Sequence, residues 1–100
     1  METNLYCSTQ TLNLAKEKGF NSSHENPTFF HLQLWLLDNG YYVYPFYDNQ
    51  EGRWTFVIRE KTGDMWIPLA DLDVDNHYYD TFSQAYDEAL KFTIESFLKL

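Results

Sequence analysis

The stretch YYVYPFYDNQEGRWTFVIREKTGDMWIPL, residues 41–69, decides the fold. It divides into Tyr41–Tyr47, Trp54–Glu60 and Met65–Leu69, three runs rich in aromatic and β-branched residues that suit a pleated surface. Asp48-Asn49-Gln50-Glu51-Gly52 and Lys61-Thr62-Gly63-Asp64 separate them with residues that turns favour. The spacing predicts two hairpins in series, a three-stranded antiparallel meander. Proline cannot donate to a strand ladder, so Pro45 and Pro68 assign the first and third strands to edges or strand ends. Trp54–Glu60 is then the central strand.

Helical patterns flank this region on both sides. Upstream, a helix is expected to open at Thr28, capped by Thr28 itself or by Asn26 with Pro27 at the first helical position. Phe29, Leu32, Trp35 and Leu36 recur at helical spacing, Leu34 and Leu37 widen the apolar face, and Asn39-Gly40 ends the element. Before it, residues 21–27 are polar and turn-rich. Ser8 or Thr9 can cap a first helix that runs to about Lys18. Gly19 supplies the left-handed residue, and Phe20 packs back on a stripe of Leu12, Ala15 and Leu5. Downstream, residues 70–77 form an acidic connection, and Tyr78-Tyr79 adds a short extended piece. Thr81 and Gln84 fit a capping box that opens the last helix. Its buried face is expected to hold Phe82, Ala85, Tyr86, Ala89, Leu90, Thr93 and Phe97, with Glu88, Lys91, Glu95 and Lys99 outside. The expected fold is α+β: two N-terminal helices, the meander, then a long C-terminal helix, the helices sharing one sheet face.

One hundred residues make a single domain, residues 1–100, large enough to bury a core without staples. The chain carries 15 acidic against 7 basic residues, a net charge of -8. That balance disfavours direct binding to nucleic acid or to an anionic membrane surface. No apolar run approaches the roughly 20 residues that span a bilayer. Cys7 is the sole cysteine and cannot form an intramolecular disulfide, which fits a reducing compartment. No basic segment followed by an apolar run marks a signal peptide, so the expected location is cytoplasmic.

Motifs for chemistry are sparse. Asp71, Asp73 and Asp75 alternate and His77 follows, a loose set of oxygen and nitrogen donors. An EF-hand loop needs glycine at its sixth position and glutamate at its twelfth, where this chain has Asn76 and Phe82. The ordinary reading is a solvated acidic loop; a small-ligand or metal-binding loop over residues 71–77 is the alternative. His24, His31 and His77 form no His-x-x-x-His pair. Cys7 acts as a nucleophile only if a histidine lies beside it in space. No Gly-x-Ser-x-Gly setting or glycine-rich phosphate loop is present. The reading is a non-enzymatic protein without a cofactor.

Aromatic residues make up 19% of the chain and are its most informative feature. Side chains alternate across a strand, so Tyr42, Tyr44 and Phe46 share one face while Tyr41, Val43 and Tyr47 share the other. The central strand divides likewise, with Trp54, Phe56 and Ile58 against Thr55, Val57 and Arg59. Helices can cover only one of the two sets. The candidate interaction face is Tyr42, Tyr44, Phe46, Thr55, Val57, Arg59 and Trp66. A half-exposed tyrosine face is common, but a contiguous apolar patch also marks interfaces, here for a protein partner or a homodimer.

Three segments carry a resemblance: Leu14-Ala15-Lys16-Glu17-Lys18-Gly19-Phe20; Thr28 followed by Leu32-Gln33-Leu34-Trp35-Leu36; and Tyr78-Tyr79-Asp80-Thr81-Phe82 leading to Ala85, Glu88, Ala89 and Leu90. In this order they resemble a group of short uncharacterised proteins from bacteriophages and mobile elements of gut bacteria. The likeness spans most of residues 12–98. That group places charged residues around the tryptophan, where this chain has Leu34, Leu36, Leu37 and Asp38. The resemblance implies a mobile-element origin and carries no site residues over. Together, the expected function is that of an accessory protein acting by protein–protein interaction through the aromatic sheet face.

Overall fold

The structure is a computed structural model that describes residues 6–21, 27–68 and 78–98. Three helices and three strands follow in the order α1 (Thr9–Glu17), α2 (Phe29–Asp38), β1 (Tyr41–Asp48), β2 (Arg53–Thr62), β3 (Met65–Pro68) and α3 (Phe82–Ser96). The strands form one antiparallel sheet with β2 in the centre. The fold is therefore α+β, with the C-terminal helix on the sheet.

Local chemistry accounts for the element boundaries. Ser8 caps α1 by accepting from the Thr11 amide at 3.2 Å. At the other end Gly19 takes a φ of 103°, and the Phe20 amide reaches back to the Ala15 carbonyl at 3.0 Å, which turns Phe20 inward against Trp35. Thr28, not Asn26, is the cap of α2, and Pro27 lies outside the helix. The Thr28 amide donates to His31 Nδ1 at 2.9 Å, so a histidine fills the place that glutamate holds in the usual capping box. Thr81 accepts from the Gln84 amide at 3.1 Å and starts α3. Asp48 Oδ1 takes the Gln50 amide at 2.9 Å and closes the first hairpin. Gly63 opens the two-residue second hairpin with a φ of 63°, the positive value that its first loop position requires.

The core lies between the helices and one side of the sheet. Val43 of β1 and Phe56 and Ile58 of β2 are buried with Leu32 and Leu36 of α2 and Ala89, Leu90 and Ile94 of α3. α3 crosses both β1 and β2, α2 packs on β1 and α3, and α1 packs on α3. Asp87 of α3 ties α1 down by accepting from both the Ser8 amide and the Ser8 hydroxyl at 2.9 Å. A carboxylate at a helix N-terminus also meets the positive end of the helix dipole. The helix layer stops short of β3, where Met65 and Ile67 are exposed.

Three details depart from the sequence reading. The buried face of α1 centres on Thr11 and Ala15, with Leu12 half-buried; Leu5 lies outside the described residues. Leu34 does not widen the buried face of α2 but is 47% exposed. Gln33 takes the inner position instead, and Ile94 joins the buried face of α3.

Gln33 is inside because β1 is an edge strand. Antiparallel strands pair through alternate residues, so every second residue of β1 turns its N–H and C=O away from β2. Val43 is one of these, and its amide donates to Gln33 Oε1 at 3.1 Å. Pro45 has the same outward orientation, so its missing N–H is not needed by the ladder. The same alternation, anchored by the paired Trp54 and Tyr79 hydrogen bonds, makes Arg59 and Pro68 a non-hydrogen-bonded pair. Pro68 therefore also presents its nitrogen to the outside.

Gln33→Leu leaves the Val43 amide without an acceptor, and it is expected to destabilise the protein by about 1–3 kcal/mol in urea unfolding. Leu34→Ser, one residue along the same helix, is expected to change stability by less than about 0.5 kcal/mol. Equal effects would mean that α2 presents a different face to the sheet.

Candidate functional site: the aromatic sheet face opposite the helices

The pairing register places the two halves of the sheet. Val43 faces Ile58 and Pro45 faces Phe56 on the core side. Tyr42 lies opposite Arg59, Tyr44 opposite Val57, and Phe46 opposite Thr55, so these six side chains share the other side. Trp66 joins them because it pairs with Lys61, two residues beyond Arg59 on β2. All seven residues expected from the sequence therefore lie on one face, and none of them belongs to the core packed by the helices.

Their environments differ. Tyr42 and Phe46 are 40% and 37% exposed, while Tyr44, Val57, Arg59 and Trp66 are half-buried. The Tyr42 ring meets Tyr44 edge-on at a centroid distance of 5.2 Å and Trp66 at 6.3 Å. Edge-on ring pairs of this kind contribute about 0.5–1.5 kcal/mol beyond the area they bury. Arg59 Nε donates to the Tyr44 hydroxyl at 3.2 Å, which leaves the outer guanidinium nitrogens beyond the tyrosine. At the far end of the face the Tyr78 hydroxyl donates to Asp48 Oδ2 at 3.4 Å.

Thr55 needs correction as a contact residue. It is on the expected face but 0% exposed, so nothing docking there reaches it. Its hydroxyl has no hydrogen-bond partner among the described residues. An orphaned hydroxyl costs free energy when buried.

The sequence reading also missed a feature of charge. No two adjacent positions of the chain make a basic cluster, yet the alternation of β2 puts Arg53, Arg59 and Lys61 on the open face together. Among the described residues the single ion pair is Lys91–Glu88 on α3, at 3.2 Å, so none of these three cations has a carboxylate partner there. The two-residue period of β2 was the available signal.

Elsewhere the structure offers less. A cavity of about 170 Å³ opens between the starts of α2 and α3, lined by Thr28, Phe29, Phe30, Phe82 and Tyr86. It lacks the convergent polar groups that orient a small ligand. The acidic set Asp71, Asp73, Asp75 and His77 lies outside the described residues. Among the described residues no group of three or more His, Cys, Asp or Glu could hold a metal ion. No described helix is long and apolar enough to cross a membrane.

Cys7 is placed against Asp87. Burial first, and then that negative charge, push its thiol up from 9.0 to about 12. The thiolate is the reactive form, so Cys7 is a poor nucleophile near neutrality. Tyr86 is likewise raised from 10.0 to about 12, chiefly by burial, with Tyr42 and Cys7 adding to it.

Comparison with protein-family models, with curated proteins and with solved structures finds no match.

Thr55→Val replaces the unpaired hydroxyl with a methyl group of similar shape. It is expected to raise stability by about 1 kcal/mol in chemical unfolding, and a loss of stability would show that the hydroxyl is partnered. The raised Cys7 and Tyr86 values set a pH dependence. Both folded values exceed the unfolded ones, so their contribution is complete below pH 9.0 and fades as pH climbs toward about 12. The urea midpoint is expected to hold up to about pH 9 and then fall, with a shallower fall in Cys7→Ala. An unchanged alkaline slope in that variant would place the thiol in an ordinary environment.

Proposed function

We propose that this protein is a non-enzymatic interaction module that docks a protein partner on the open aromatic face. One observation carries the reading: Tyr42, Tyr44, Phe46, Val57, Arg59 and Trp66 lie together on a sheet side that the helix core leaves free. Tyr, Trp and Arg are the residue types that concentrate binding energy at protein interfaces. A ring cluster that is already ordered loses little side-chain freedom when a partner lands on it. Four aromatic side chains on one side of so small a sheet exceed what folding requires of that side, since the core lies on the other. The resemblance described above supports an accessory role in a phage or mobile element, acting on a protein of the host or of the element itself.

Photo-crosslinking tests this reading in cells. A photoreactive phenylalanine analogue at Phe46 or Tyr42 is expected to yield one discrete protein adduct, and the same analogue at Asn13 or Glu95 on the helix surface to yield none. Tyr42→Ser combined with a photoreactive Phe46 is expected to weaken the adduct at least fivefold. Adducts of equal yield from both sides, or none from the sheet, would remove the docking role.

A further inference from the structure

We infer that the partner of the open face is an acidic polypeptide segment. This rests on the docking reading above and adds the chemistry of the occupant. The argument is charge complementarity. The chain as a whole is at -8, yet three of its seven cations, Arg53, Arg59 and Lys61, are gathered on this one face. On the strands themselves the only carboxylate of that face is Asp48, and it is engaged by the Gln50 and Glu51 amides and by the Tyr78 hydroxyl. Arg59 lies opposite Tyr42 on β1 and Pro68 on β3, and it is steadied through Nε by the Tyr44 hydroxyl. Its two outer nitrogens form the fork that accepts a carboxylate with two parallel hydrogen bonds. Lys61 lies cross-strand from Trp66, so a second carboxylate one turn or two strand residues along the partner meets another cation. The rings beside these cations supply apolar contact for side chains between the acids. A bound segment of alternating acidic and apolar residues matches the pattern.

The same observations disfavour two other occupants. In a second copy docked face to face, the twofold axis would bring each Arg59 and Lys61 toward the like-charged row of its mate. A single-stranded nucleic acid would stack on the rings, but its phosphates extend past three cations into a strongly acidic surface, where counterion release no longer helps.

The test is a display selection of random 12-residue peptides against the full chain, followed by titration of the enriched peptides, of oligo(dT) and of the chain against itself by sedimentation. Acidic peptides with interspersed apolar residues are expected to be enriched. Their binding is expected to weaken at least tenfold in Arg59→Gln, and at least threefold between 50 and 300 mM salt. Arg53→Gln/Lys61→Gln, at two exposed positions, is a second variant independent of the Tyr44 contact, and a similar loss is expected. Enrichment of neutral or basic peptides that still compete at Tyr42 and Phe46 overturns the acidic partner and leaves the docking reading standing. Tight oligo(dT) binding or a stable dimer through this face overturns it in favour of those occupants. Selected peptides indifferent to every substitution on the face overturn both readings.

Discussion

Successive side chains of a strand leave on opposite sides of the sheet, and the rest of this protein depends on which side received the helices. Val43, Phe56 and Ile58 face α2 and α3 and are buried. Shifting β1 by one residue would turn Tyr44 inward and Val43 outward, and shifting β2 would bury Arg59 and expel Ile58, so the core specifies the register and the register specifies the open face. The aromatic face and the core are thus two outcomes of a single alignment. A change that loosens the register damages both.

The helices keep that alignment by polar contacts at a few points. Gln33 reaches from α2 to the free edge of β1, Asp87 holds the start of α1 from α3, and the Tyr41 hydroxyl donates to the Phe97 carbonyl at 2.8 Å. Each satisfies a backbone group at an element's end or edge, where the element itself leaves it without a partner. The apolar core provides most of the burial, and these contacts fix how the layers lie on it. Gln33 is incompletely satisfied, since its Nε2 has no partner among the described residues. What it supplies at the edge of β1 is the acceptor for the Val43 amide.

Much of this organisation is legible in the sequence. The turn clusters, Pro45 and Pro68 locate three strands and their order, because turn chemistry and proline act locally. Gly19, Thr28 and Thr81 mark helix ends for the same reason. What escapes is set by tertiary neighbours. Gln33 outranks Leu34 for the inside of α2 because an edge amide needs an acceptor, and helical periodicity carries no record of that need. Thr11 is buried under a cap network rather than by its hydropathy. On the sheet, the Tyr42 set was identified as a face, whereas the burial of Thr55 and the gathering of Arg53, Arg59 and Lys61 emerge only when the pairing partners are known.

The two edge prolines have a further consequence. A sheet with unprotected borders invites strands from other molecules to add in register, which is the route to fibrous aggregates. Here each border holds a residue that has no proton to offer an incoming strand, and on β1 the Val43 amide beside it is already taken. Both borders are thereby blunted against the sideways addition of another strand. The broad side opposite the helices, by contrast, carries no such device and keeps its rings at the surface, with Tyr42 and Phe46 exposed.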